Sequence, residues 1–444
     1  MKTVTMLSSI LALGLLSAGS AHALTDVEQL GKSIFFDNDL SINNNQSCAA
    51  CHGPTFGWTG PNEDINATGG VYEGSIPGRF GNRKPPSSAY ATPSPILYFV
   101  VEKAKNKNKT EILFIGGNFW DGRATGEALG NPAADQARGP FLNPVEQALP
   151  DRACVVYRVC NASTYPVSLE QVYPGSCNIV FPVETNDLCT AGDLVPLDQV
   201  DREQVETAYD NIALAIAAYE DSPEVNQFSS KYDAFLAGIV ELSKEEKKGL
   251  NLFKSTGKCA NCHILDPGPN GEPPLLTDFT FDNLGVPRNP ENPWYAMLPE
   301  FNPDGINWID KGLGGFLASR MEYEQYAAEN NGKQKVPTLR NVDLRPLPGS
   351  VKAYTHNGYF KTLKQVVHFY NTRDMKPVCP DDSSTEIDES LFTSVEDAMA
   401  QGCWPKPEVA ANVNTSELGS LNLTDDQEDA IVAFMKTLSD GYLP

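Results

Sequence analysis

"CAACH" (residues 48–52) and "CANCH" (259–263) decide how this sequence is read. Each is a C-x-x-C-H pentapeptide, the attachment motif of a c-type haem. Two thiols form thioether links to the porphyrin, and the adjacent His is then placed to bind the iron from one side. One copy alone fits a redox C-x-x-C followed by an unrelated His; two copies argue against that. The chain has five His. His22 lies in the N-terminal leader, and two of the other four complete these motifs. Cys48, Cys51, His52, Cys259, Cys262 and His263 are therefore read as cofactor-binding residues for two covalently bound haem c groups, with His52 and His263 as iron ligands.

The residues before each motif repeat. "LTDVEQLGKSIF" (24–35) and "LSKEEKKGLNLF" (242–253) share the pattern L-[ST]-x-x-E-x-x-G-x-x-[IL]-F. Thr25 with Glu28, and Ser243 with Glu246, are capping-box pairs that open a helix. Leu30, Ile34 and Phe35 then form one apolar stripe, and Leu252 and Phe253 its counterpart. Val205, Ala208, Tyr209, Ile212 and Ile216 mark a further helix. "NLTDDQEDAIVAFMKTLSD" (422–440) marks another, with Thr424 and Gln427 at the cap and Ile431, Phe434, Met435 and Leu438 inward. Gly- and Pro-rich stretches at 53–95 and 264–315 follow the motifs and read as loops around a flat cofactor. The expected fold is mainly α, with two cytochrome c-like domains, each with one c-type haem, long loops and a Cys-containing insertion. The domains are expected at 24–235, with the insertion about 151–200, and at 236–444.

The first residues set the compartment. "MKTVTMLSSILALGLLSAGSAHA" has a Lys, an apolar run and an A-x-A site at Ala21–Ala23, so 1–23 reads as a signal peptide. Its apolar run is too short to span a bilayer, and no later run reads as a membrane span. The expected location is the periplasm. The formal charge of −23 argues against nucleic acid as a partner and suits a basic partner protein or simple solubility. Cys154, Cys160, Cys177, Cys189, Cys379 and Cys403 form an even remainder and read as disulfides. Proximity favours pairing within 154–189, and Cys379 with Cys403.

"FWDGRA" (119–124), "QARGPFLNPVEQ" (136–147), "VPTLRNVDL" (336–344) and "HNGYFKTLKQVVHFY" (356–370), with the two haem motifs, run through nearly all of the mature chain. In this order they resemble the bacterial di-haem cytochrome c peroxidases, the family that also contains MauG. The resemblance implies that the haem on His52 reacts with hydrogen peroxide, in a pocket lined by Gln136, Pro140 and Glu146. A carboxylate near both peroxide oxygens can carry a proton from one to the other, and an amide can orient them. Trp120 matches the family's tryptophan between the haems, an electron relay. Asp121 and Arg123 are expected to organise the turn through an ion pair or a haem propionate. The chain departs from the family in two places. "TGEALGNPAAD" (125–135) is extra sequence beside the pocket mouth. Lys84 also follows Arg83 where the family has an Asn that helps hold calcium. Calcium is therefore doubtful, and the Lys84 ammonium is expected to replace its charge.

His368, Tyr370 and Met375 all compete to be the second ligand of the haem on His263. Leu363, Val366, Val367 and Tyr370 share one helical face, whereas His368 shares the other with Lys361 and Lys364. Periodicity points Tyr370 inward and His368 to water; Met375 lies past the helix stop. The register from His356 in the family agrees on Tyr370, where most relatives carry Met and MauG carries Tyr. His356 itself is expected near the haem but not on the iron. The resemblance implies a peroxidase whose second haem relays or stores oxidising equivalents for oxidation of a partner protein residue. The alternatives are a detoxifying peroxidase fed by a small cytochrome c, and a di-haem electron carrier without peroxide chemistry. A homodimer is left open.

Overall fold

Thr25 and Ser243 open equivalent helices. In a computed structural model of the chain, which describes residues 23–103, 110–268, 271–380 and 393–444, helix α1 (Asp26–Phe35) begins with a capping box. The Thr25 N–H donates to Glu28 Oε2 at 2.6 Å. The same box opens the helix Lys244–Lys254, where the Ser243 N–H donates to Glu246 Oε2 at 2.7 Å. The expected signal peptide, 1–23, lies outside the described residues apart from Ala23.

The repeat extends to the packing. Helix α1 crosses α2 (Gln199–Asp221), and α3 (Lys244–Lys254) crosses α5 (Asp425–Lys436); α4 (Leu363–Thr372) lies against α5. At each crossing sits the Gly of the repeated pattern. A Cβ on Gly31 would lie 1.9 Å from the Ala215 carbonyl oxygen, and one on Gly249 would lie 1.8 Å from that of Ala430. Both approaches need a residue without a Cβ. They let Phe35 meet Tyr219 at 5.6 Å and Phe253 meet Phe434 at 5.2 Å between ring centroids.

Two cores result. Leu30, Ile34, Phe35, Tyr209, Ile212 and Ile216 belong to the first, and Phe253, Leu363, Val367, Ile431 and Phe434 to the second. Each such side chain contributes roughly 1.5–3 kcal/mol by leaving water. Leu252 is only half-buried; Gly249, Leu250 and Phe253 carry the inward stripe instead. Tyr232 packs in the second core, and the short helix around it ion-pairs with that half through Lys231–Glu246 and Asp233–Arg340. The second core thus takes in Tyr232.

The architecture is mostly helical. The reading of the sequence missed an antiparallel hairpin, Tyr98–Lys103 with Thr110–Ile115. The insertion carries the helix Arg152–Asn161 and two disulfides, Cys154–Cys189 and Cys160–Cys177; Cys379 pairs with Cys403. Among the described residues no helix is long and apolar enough to cross a membrane.

Because the Gly249 contact is backbone on backbone, Gly249→Ala is expected to push α3 off α5. A loss of about 1–3 kcal/mol, the range of core overpacking, is the expected result in urea unfolding of the haem-loaded protein.

Candidate haem sites

Each pentapeptide ends in a short turn that turns its His into a cavity. The His52 Nδ1 lies 3.3 Å from the Trp58 carbonyl oxygen, and the His263 Nδ1 lies 2.9 Å from that of Leu276. A carbonyl there takes the Nδ1 hydrogen and leaves Nε2 as the lone-pair donor. Burial, with Lys84 also contributing, pushes the His52 pKa down to about 4, so its imidazole is neutral and fit to ligate. Burial lowers His263 as well. The four cysteines outside the disulfides are those of the two motifs. Burial, then Glu146, pushes the Cys51 thiol up to about 12; an uncharged sulfur suits a thioether.

The cavity at His52 is the roomier, about 320 Å³ against about 180 Å³ at His263. Both have room for a macrocycle. Around the first stand Gln136, Pro140, Glu146 and Trp120 with Cys48, Cys51 and His52. Gln136 comes from the helix Pro132–Ala137, capped by Asn131, and Pro140 opens the next turn. Glu146 is fixed by its backbone: its N–H donates to the Asn143 carbonyl at 2.9 Å, and its carbonyl accepts from Ser75 at 2.7 Å. Burial raises the Glu146 pKa, and Arg123 and Asn143 partly offset that. A carboxyl so poised can both give and take a proton.

Trp120 lines both cavities. Its indole Nε1–H donates to the Lys84 carbonyl at 2.8 Å, and its own carbonyl accepts from the Lys335 N–H at 2.7 Å. The His356 ring lies 6.4 Å away, and the His356 carbonyl accepts from the Lys84 N–H at 2.7 Å. Beside this contact Arg83 bridges the halves, with Nε and Nη2 each 2.6 Å from Asp310 and Nη1 2.6 Å from Asp121. Arg123 also holds Asp121, at 2.8 Å, and stacks on Phe119. Burial alone would raise the Asp310 carboxyl, but Arg83 outweighs it and holds it well below the usual range; Asp121 is lowered by the same competition.

The Lys84 ammonium lies at the wall of the first cavity, 2.6 Å from Thr59 Oγ1 and 2.9 Å from the Pro85 carbonyl. Burial brings its pKa down to about 7. A buried cation with only neutral oxygens around it fits an anionic group such as a haem propionate. The structure adds a second buried lysine amino group the sequence did not suggest. Lys352 donates to the carbonyls of Asn341 and Leu344 at 2.8 and 3.2 Å, and burial with Lys84 drives it far below its ordinary value.

In the second cavity Leu363, Val366, Val367 and Tyr370 line one wall, as the helical phase requires, together with His263 and His356. Among the described residues the Tyr370 hydroxyl has no hydrogen-bond partner, although its backbone carbonyl accepts from Gly419. Burial, then Cys259 and Asp282, raises its pKa. Met375 is 55% exposed and lies outside the cavity. One expectation is corrected. His368 does not face water: its Nδ1 lies 3.0 Å from the buried Glu428 of α5, which packs on the face taken as solvated. Lys361 is buried too, donating to the Thr68 and Gly358 carbonyls.

Three site residues escaped the sequence reading. Glu220, 4% exposed, lines the first cavity, and burial lifts its pKa to about 8. It continues the stripe Ile212–Ile216 by one more turn, a signal that was legible. Trp294 and Asp310 lie in the 264–315 loops, where no periodicity applies.

With this geometry in view, comparisons with known proteins fix the family. The sequence pattern of the family described as di-haem cytochrome c peroxidase matches residues 25–241. The methylamine utilization protein MauG of Paracoccus denitrificans is 32% identical over 97% of this chain and 94% of its own length. Cytochrome c551 peroxidase of Nitrosomonas europaea is 26% identical over 77% and 72%. The crystal structure of the diheme peroxidase BthA from Burkholderia thailandensis superposes with a TM-score of 0.65 at 27% identity, covering 94% of this chain and 86% of that one. The chain belongs to the di-haem cytochrome c peroxidase family and is a di-haem peroxidase.

The ion cluster predicts a pH dependence. Asp310 and Asp121 have folded pKa values below their unfolded ones. Their contribution is therefore complete at neutral pH and is lost as pH falls past the ordinary Asp value of about 3.9 toward the lower folded values. Asp310→Asn leaves Arg83 short of one buried partner, and a loss of about 3–5 kcal/mol at pH 7 is expected. Urea unfolding across pH 3–7 is expected to show a flatter acid limb in the variant.

Proposed function

We propose that this chain carries two covalently bound haem c groups in the periplasm and turns hydrogen peroxide into an oxidant for a partner protein residue, in the manner of MauG. The observation that carries this reading is the Tyr370 side chain, which lines the His263 cavity and has no hydroxyl partner among the described residues. Tyr370 is half-buried and its hydroxyl opens into the cavity that holds His263, which supports a role as the second iron ligand. The phenolate is disfavoured by burial and by Asp282, and needs a ferric ion to balance its charge. Tyrosinate ligation in turn favours the oxidised iron, unlike the Met ligation that raises haem potential.

Haem iron, when bound on His52, supplies the redox centre for reductive cleavage of the peroxide bond. The residues of the chain supply the rest. Gln136 orients peroxide through its amide, and Pro140 closes the pocket without offering a competing N–H donor. Glu146 takes the proton from the near oxygen and gives it to the leaving one; its raised pKa suits both steps. Trp120, held between the two cavities, passes electrons between the sites. Lys84 and Arg123, both at the wall of the first cavity, would hold the haem's anionic propionates, and Glu220 is a second carboxyl at the first site. Calcium has no assigned role here, because Lys84 stands where the family uses an Asn ligand.

Removing the Glu146 acid–base group is expected to slow the peroxide reaction about 10²–10⁴-fold in Glu146→Gln, read by stopped-flow absorption of the haems. Unchanged rates would remove its assigned role. Tyr370→Phe is expected to abolish the phenolate-to-iron absorption and raise the potential of the second haem, while His368→Ala leaves both unchanged. Spectroelectrochemical titration reads both, and the reverse pattern would overturn the ligand assignment.

A further inference from the structure

Trp120 serves both cavities, but it is not the sole tryptophan at the first. Trp294, 8% exposed, lines the first cavity beside Glu146 and is absent from the second. It packs with Val145 and Met297. Its ring meets that of Trp308 edge to face, with centroids 6.0 Å apart. Trp308 is half-buried and stands between Ile306 and Ile309, 43% and 45% exposed. The pair thus runs from the cavity wall to the surface. Arg288 fixes the outer end, donating from Nη2 to the Ile306 and Trp308 carbonyls at 2.5 and 3.1 Å. Asn292 fixes the inner end, accepting the Trp294 N–H at 3.0 Å. The Trp294 indole nitrogen is buried with no hydrogen-bond partner among the described residues. An electron can therefore leave that ring and be replaced without a proton being lost to a neighbour.

We infer that Trp294 and Trp308 form a second electron path, which carries electrons from the surface at Trp308 to the first haem site. This rests on the reading of that site as the peroxide site. Reducing one peroxide to two waters takes two electrons and two protons. Each electron passes from Trp308 to Trp294 to the site, and a one-electron donor at the surface refills Trp308. Without a donor Trp308 itself is consumed. It loses two electrons and two protons and takes up one oxygen from water, so that tryptophan and peroxide give an oxygenated tryptophan and water. The path is separate from Trp120 and does not require the second haem.

The test treats the haem-loaded protein with hydrogen peroxide in the absence of any donor and maps oxygenated peptides by mass spectrometry, per peroxide consumed. Oxygen is expected on Trp308 in the native protein and in Trp120→Phe, and its loss is expected in Trp294→Phe. Freeze-quench electron paramagnetic resonance with deuterated tryptophan is expected to show an indole radical that disappears in Trp308→Phe. Three outcomes would overturn the path: haems that consume peroxide while Trp308 stays unmodified, equal modification of Trp308 in Trp294→Phe, or dependence on Trp120. Haems that do not react with peroxide at all would overturn the peroxide reading, and the path with it.

Discussion

Trp120 is tied to both halves of the molecule at once. Its indole N–H is held by the Lys84 carbonyl from the first half and its own carbonyl by the Lys335 N–H from the second. The ion cluster of Arg83 with Asp121 and Asp310 clamps the same seam, in a place where each charge is costly unless every partner is present. A buried cluster of this kind is weak as a source of stability but strict about geometry. It sets the distance and orientation between the two cavities, and the shared tryptophan depends on both.

The way the halves are built follows a simpler rule. One helix pattern, used twice, brings a capped helix across a later helix at a glycine, and leaves the pentapeptide at the mouth of a cavity. The first half then gained Gln136 and Glu146 on its open side, and the second gained Tyr370. The two cavities differ in their walls: the first is rich in polar and charged side chains, the second mostly apolar. One is lined by the buried carboxyl of Glu146, whereas the other presents the Tyr370 phenol, unpartnered among the described residues.

Much of this was legible in the residues. Cap signals, apolar periodicity and the haem motifs located the helices and both His residues. Helical phase alone turned Tyr370 inward. The same phase failed for His368 and Lys361, because periodicity shows which face differs from the core face but not whether a further helix covers it. Here α5 and the Thr68 loop do. Asp310, Trp294 and Lys352 were not legible, since they lie in loops whose course is set by contacts between the halves. Glu220 was overlooked although its register was visible, because a carboxylate on an apolar stripe reads as an exception rather than as a cavity wall.

Tyr370 ties the electrostatics to the function. Its surroundings resist the phenolate; under the proposed ligation a ferric ion would balance that charge and so favour the oxidised second haem. The most direct measurement adds one equivalent of hydrogen peroxide to the fully oxidised, haem-loaded protein and follows both irons by absorption and Mössbauer spectroscopy. Prompt and simultaneous change at both irons, without prior reduction, is the result expected. A protein that reacts only after one haem has been reduced would contradict the assignment of Tyr370 and the function built on it.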